Sequence, residues 1–219
     1  MISSKYKFLY LHIPKCAGTS IEKALKNICD IKLSGYSPEV NGWEQHATYA
    51  QLIKYKIIDE DLGNSCFKFT FVRNPYDRVV SEYKWRIKRF GNFLNGPLNK
   101  TWGNFFPYDS AEDIRKNVSF ADFVNKNYCY QEISYEQHMK PQIEFIHDEN
   151  NTKIDFVGKV EKLQDHFNKV CDIIKIPRLE LPHINKTQKD DYRKYYDSET
   201  YDIVTNMYKQ DIKKFQYEF

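Results

Sequence analysis

Apolar and polar positions along the chain fall into two alternating patterns. "YKFLYLHI" (Tyr6–Ile13) is a nearly continuous apolar run, the signature of a strand covered on both faces. "TSIEKALKNI" (Thr19–Ile28) follows it, with Ile21, Ala24, Leu25 and Ile28 at helical spacing. Residues 30–45, with Gly35, Pro38 and Gly42, read as loop. "ATYAQLIKYKI" (Ala47–Ile57) predicts a helix, and "CFKFTFVR" (Cys66–Arg73) a second strand. Asn74 can cap the next helix, with Pro75 at its first position and an end near Arg89. Residues 91–118, rich in Gly, Asn, Pro and aromatics, read as an insertion or lid. A helix starts at Phe120, and "IEFI" (143–146) and "KIDFVGKV" (153–160) predict strands. Residues 161–174 and 198–215 predict amphipathic helices. Strands alternating with helices predict a single α/β domain over 1–219, with a mostly parallel central sheet flanked by helices.

Composition narrows the class. With 219 residues, 41% apolar and 16% aromatic, the chain can bury a real core and is too apolar for disorder. A net charge of only +3 gives no reason to expect nucleic acid, so any anion preference is local. Five cysteines at 16, 29, 66, 129 and 171, with no C-x-x-C pair, read as reduced thiols without a metal site. The first strand begins within a few residues of Met1, and no 18-residue apolar run occurs. Neither a signal peptide nor a membrane span is expected, which points to a cytoplasmic location unless an N-terminal anchor has been removed.

Two segments carry chemistry. In "PKCAGTS" (Pro14–Ser20), Gly18 permits close backbone approach, and Thr19 and Ser20 stand where a helix begins. Free N–H groups there attract an anion, hydroxyls donate to it, and Lys15 adds a full charge. A capped strand-to-helix turn with an exposed lysine would read similarly. In "FVRNPYDRVVSEYKWR", Arg73 ends a strand at the edge where parallel sheets bind ligands. Asp77, Arg78, Ser81 and Trp85 fall roughly along one helix face, where an arginine fork and a hydroxyl would suit a second phosphate. An Arg–Asp surface pair with a solvated serine is the plainer alternative.

Together these segments resemble the sulfotransferases that use 3′-phosphoadenosine 5′-phosphosulfate (PAPS), specifically the carbohydrate 2-O/4-O-sulfotransferase-like family with its bacterial relatives. The resemblance continues through "QHAT" (Gln45–Thr48), "DFVGKVEKL" (Asp155–Leu163), "LPHINKT" (Leu181–Thr187) and the C-terminal segment. It implies a P-loop-NTPase-like sulfotransferase fold. In the family the first loop binds the 5′-phosphosulfate, and an "R-N-P-x-x-R-x-x-S" segment the 3′-phosphate. The cofactor-binding candidates are therefore Lys15, Cys16, Ala17, Gly18, Thr19, Ser20, Arg73 and Ser81, with Lys186 a weaker one. Cys16 stands where threonine is common, a small change if backbone amides form the loop.

The implied reaction moves a sulfuryl group by in-line attack to a hydroxyl, by family analogy on a saccharide or glycoconjugate, releasing adenosine 3′,5′-bisphosphate (PAP) and needing no metal. Lys15 would stabilise charge on the bridging oxygen, and His46, matching a histidine that is the base in carbohydrate members, would take the acceptor proton. Glu44 or Glu144 could instead be the base. His12 reads as structural, His183 as near a closing loop, and His138, His147 and His166 as peripheral. "KWRIKR" (Lys84–Arg89) would receive an anionic sugar chain or merely form a solvated helix face. Two other classes stay open: a P-loop-type kinase, which would need a Gly-Lys-Ser/Thr loop and a magnesium aspartate, and a nucleotide-binding protein that has lost catalysis.

Overall fold

Phe8–Leu11 forms strand β2, with all four side chains buried. In the computed structural model, which describes residues 1–40, 42–93, 118–125, 137–146, 154–182 and 190–219 (side chains of 88–93 excepted), β2 lies inside a four-stranded sheet. Its neighbours are β1 (Ile2–Ser3), antiparallel, and β5 (Phe67–Val72), parallel, and β6 (Phe156–Lys159) extends the parallel set. The sheet is mixed and mostly parallel. The expected strands at 6–13, 66–73 and 153–160 are present in shortened form, and β1 is an addition.

Helix α1 (Gly18–Leu25) follows β2 and buries Ile21 and Leu25. Between them and β5 stand a small hairpin, β3 (Tyr36–Ser37) with β4 (Gly42–Trp43), and two short helices, α2 (Tyr49–Lys54) and α3 (Glu60–Ser65). Thr48 caps α2 in a reciprocal box with Gln51, so the helix starts two residues later than the apolar pattern indicated. Pro75–Phe93 is α4, and Asn74 caps it as expected, its Oδ1 accepting from Tyr76 N at 3.0 Å. Helices α5 (Phe120–Asn125), α6 (Leu163–Ile173), α7 (Ser198–Met207) and α8 (Lys209–Phe215) complete the described elements.

Two expectations fail. "IEFI" is a 3-10 turn over Gln142–Phe145, because the Asp211 carboxylate of α8 takes the amides of Gln142 and Ile143, both at 2.8 Å. Those donors are spent on a side chain and cannot join a ladder. The helix expected over 198–215 is broken at Tyr208, whose φ of −111° and ψ of 23° leave the helical region. Tyr208 is anchored by its hydroxyl to the Met139 carbonyl at 2.8 Å, turning α8 toward Gln142. One apolar cluster lies between the sheet and α1, α6 and α8, a second under β1 and α2, a third between α4, α5 and α7. No described helix is long and apolar enough to cross a membrane. Most of the 91–118 segment lies outside the described residues, as do Cys129, His147, His183 and Lys186.

Candidate active site

The chain leaves β2 through His12–Ala17 and enters α1 at Gly18. Two residues of this turn, Lys15 (φ 66°) and Ala17 (φ 64°), adopt the left-handed backbone that non-glycine residues rarely take. Each such residue costs about 1 kcal/mol or more. Ala17 is the N-cap and offers no capping side chain. Among the described residues, the amides of Ala17, Gly18 and Thr19 have no acceptor, whereas Cys16 N reaches Ile13 O (3.3 Å) and Ser20 N reaches Ala17 O (3.0 Å). A strained turn that presents open amides at the positive end of a helix is an anion cradle.

Gly18 is needed here, though for a neighbour rather than a ligand. A Cβ on it would meet His12 Nε2 at 1.8 Å, so the imidazole lies directly on the loop. Cys16 faces inward and is fully buried, its thiol donating to Gln142 Oε1 at 3.2 Å. Burial pushes that thiol up to about 12. Of the six loop candidates, Cys16 is thus the one whose side chain and amide are both engaged inside the protein.

The loop opens on a cavity of about 670 Å³. Lys15, Ala17, Gly18, Thr19, Ser20, Arg73 and Ser81 line it, alongside apolar Val160, Leu163, Leu181 and Pro182. The Lys15 ammonium sits 4.9 Å from the centre of the Trp85 ring, a cation–π contact. Burial lowers its pKa from 10.5 to about 8, with Glu82 pulling upward and Arg73 and Arg86 downward. The Arg73 guanidinium donates to Asp77 (2.8 Å) and to the Lys15 carbonyl (3.3 Å), so part of its fork is already engaged. Gln142 pins the backbone of Arg73, accepting from its N–H at 2.8 Å and donating to its carbonyl at 2.9 Å. Arg78 does not face the cavity. It is 2% exposed and donates to the Pro14 carbonyl (3.1 Å) and the His138 carbonyl (2.6 Å). It fixes the loop in place and cannot supply a fork to a phosphate.

The remaining lining is imidazole, indole, amide and hydroxyl: His12, Ser34, Trp43, Gln45, His46, Trp85 and His138. His46 is buried in the turn before α2. Its Nδ1 lies 3.1 Å from the His12 carbonyl and so carries the proton, leaving the Nε2 lone pair to accept from Gln45 Nε2 at 3.2 Å. Burial first, then the His12 and His138 rings, hold its pKa well below 6.5. His46 edges onto His12 at 4.6 Å and onto His138 at 5.1 Å between ring centroids.

His138 is not peripheral. It lines the cavity, tilts over Trp85 at 5.2 Å, and bonds Glu82. His12 joins the same group, bonded to Glu22 at 3.0 Å. The glutamates considered as bases stand elsewhere: Glu44 accepts from Gly35 N, and Glu144 pairs with Lys140. The glutamate under the cavity is Glu82, which sequence reasoning missed. The basic run is also divided: Lys84 pairs with Asp190 at 3.6 Å, Arg86 turns inward to Glu82 at 2.7 Å, and Trp85 faces the cavity. A signal for His138 existed. Gln-His recurs at 45–46 and 137–138, and Gln137 clamps the Trp43 backbone (2.9 and 3.3 Å) in front of the first pair.

A model of the sulfotransferase family matches residues 1–218. This chain belongs to the sulfotransferase family. It is 23% identical over 198 residues to carbohydrate sulfotransferase 14 of Mus musculus, covering 84% of this chain and 47% of that protein. To carbohydrate sulfotransferase 11 of the same species it is 25% identical over 187 residues, 79% of this chain and 52% of the other. An uncharacterized protein of Archaeoglobus fulgidus is 30% identical over 137 residues, 63% of this chain and 91% of its own length. The chain spans about half the length of the two mouse sulfotransferases it matches. No solved structure matches. Membership supports sulfuryl transfer.

Proposed function

We propose that this sulfotransferase transfers the sulfuryl group of PAPS to a saccharide hydroxyl by in-line attack. The supporting observation is the division of one cavity into two kinds of lining. Open amides, Lys15, Arg73 and the hydroxyls of Thr19, Ser20 and Ser81 suit a phosphosulfate and a second phosphate. Neutral imidazoles and two tryptophans suit a hydroxyl acceptor on an apolar ring face. The residues present fit the donor. Ala17, Gly18, Thr19 and Ser20 would hold the 5′-phosphate, Arg73 and Ser81 the 3′-phosphate, and the apolar group at Val160, Leu163 and Leu181 offers a surface for a base. Lys15 would stabilise the charge that grows on the bridging oxygen, and neutral His46 would take the acceptor proton at Nε2 once Gln45 gives way. The named mouse relatives are carbohydrate sulfotransferases, which favours a sugar acceptor.

Transfer of labelled sulfate from PAPS to a glycan panel, with and without EDTA, tests the reading. Turnover is expected to persist in EDTA, and strict magnesium dependence would favour phosphoryl transfer. By calorimetry, PAP should bind more tightly than AMP by about 1.5–3 kcal/mol, the contribution of a charge-assisted contact to the 3′-phosphate. Equal affinities would remove Arg73 and Ser81 from that role.

A further inference from the structure

Three imidazoles line the cavity, and their partners differ. His12 places Nδ1 on Glu22, but its Nε2 is packed against the loop at Gly18, and the Glu22 side chain is 25% exposed. His46 gives its Nδ1 proton to a backbone carbonyl, which carries no net charge. His138 places Nδ1 at 3.1 and 3.0 Å from the two oxygens of Glu82. That carboxylate is 1% exposed and is held in addition by Arg86 at 2.7 Å. Burial disfavours its charge, yet His138 and Arg86 keep its pKa well below the usual carboxylate range, so it is ionised. An ionised carboxylate only accepts, so neutral His138 carries its proton on Nδ1 and its lone pair on Nε2.

We propose that His138, backed by Glu82, is a second general base of the acceptor side and the residue that retains the acceptor's proton. The proposal rests on the sulfuryl-transfer reading. As the acceptor oxygen's lone pair forms the new O–S bond, the bond from sulfur to the bridging oxygen breaks, and its electron pair stays on the phosphate. The acceptor's proton, drawn off at His46 Nε2 or directly at His138 Nε2, comes to rest on His138 Nε2 and later passes to solvent. The imidazolium so formed faces a carboxylate directly. On His46 the same proton would face His12 and His138, with only a carbonyl behind it.

The charged groups around His138 set its response. Glu82 and Arg86 come from α4, Lys15 from the loop, and His46 from the turn before α2, and the Arg78 guanidinium sits on its carbonyl. Glu82 favours the imidazolium, while Arg86 and Lys15 oppose it. The carboxylate is therefore what makes this imidazole a usable base, as in the carboxylate–histidine pairs of hydrolases.

Two measurements test this. In histidine-labelled protein, nitrogen chemical shifts are expected to show His138 with Nδ1 protonated at neutral pH, and His138 gaining its second proton at higher pH than His46. An Nε2-protonated tautomer, or His46 charging first, would overturn the proposal. In kinetics, His138→Gln should lower kcat by roughly 10²–10³ while PAP affinity stays within about twofold. Glu82→Gln should lower kcat about tenfold or more and move its acid limb to lower pH, a shift that lost packing alone does not produce. His138→Gln within about threefold of the unmodified enzyme, or an unshifted limb in Glu82→Gln, would overturn it. If Glu82→Gln fails to fold because Arg86 loses its carboxylate, His138→Gln and the shifts decide. An unmodified enzyme that sulfates no acceptor would refute the sulfuryl-transfer reading, while the shifts still judge the dyad alone.

Discussion

The two sides of this cavity that we propose for donor and acceptor are built by different means. The donor side comes mainly from one continuous turn, residues 14–20, and the first residues after β5. Its chemistry is backbone amides, two cations and a few hydroxyls. The acceptor side draws single residues from the end of β2, the turn before α2, the middle of α4 and the segment at 137–139. Its chemistry is side chains held by other side chains. A local turn encodes its own shape, because strained backbone and helix start are adjacent in sequence. A wall assembled from four segments exists only after the chain has folded.

The largest expected effect falls on the donor side. Lys15→Ala should reduce turnover by roughly 10²–10³, by analogy with loss of one transition-state donor. Donor affinity should fall less, because charge on the bridging oxygen grows only as the bond breaks. The apo protein should lose no stability. A lysine whose pKa is lowered to about 8 is charged at neutral pH in a site that disfavours the charge, so its removal relieves the fold. Thermal melts and single-turnover kinetics check both parts. A variant that melts lower and turns over normally at saturation would make Lys15 a structural residue.

His46→Ala tests whether the sides act separately. Turnover should fall by about 10², the low end of the range for a general base, because a second imidazole remains. PAP affinity should not change. Loss of PAP binding would mean that the His46–His12 bond shapes the donor loop, and the division between the sides would fail.

His12 is where the two sides meet, and Gly18→Ala probes it. The new Cβ cannot coexist with the imidazole where it stands, so the ring or the loop must shift. A destabilisation of about 1–3 kcal/mol is expected. Paired with His12→Ala, which vacates the space, Gly18→Ala should be much less harmful, a coupling that a double-mutant cycle in urea reads directly. Additive effects would show that Gly18 and His12 do not constrain each other.

What the sequence disclosed follows the same division. Lys15, Gly18, Thr19, Ser20, Arg73 and Ser81 were legible because they sit in two short segments at strand ends. His46 was legible through its likeness to a family histidine, but its pKa was not, since burial and two neighbouring rings set it. His138 and Glu82 lie 56 residues apart and find each other only through α4. Arg78 looked like a ligand residue by its helix face, yet carbonyls at Pro14 and His138 claim it. The sheet was legible in its strands, except where Asp211 diverted the amides of Gln142 and Ile143.

The smallest effect expected is on stability, and it separates the two sides by pH. His46 and His138 both have folded pKa values below their unfolded value near 6.5, chiefly through burial. Above that value both states are neutral and neither histidine contributes a pH dependence. As pH falls below it, the unfolded chain takes up protons that the folded chain refuses, so stability decreases through the folded pKa values. Lys15 behaves oppositely in range: its window lies between about 8 and 10.5, where stability rises with pH. Between pH 8 and 6 the buried Met1 amine, lowered from 8.0 to about 6 by burial, already makes stability fall with falling pH. Below about 6.5 the histidines should steepen the drop in melting temperature by a few degrees toward pH 5, about 2–4 °C per kcal/mol for a chain of this size. In His46→Gln/His138→Gln the drop should shrink while the alkaline rise persists, and in Lys15→Met the reverse. A drop unchanged by removing both histidines would assign the acid sensitivity to other groups, His166 first, whose pKa is also lowered.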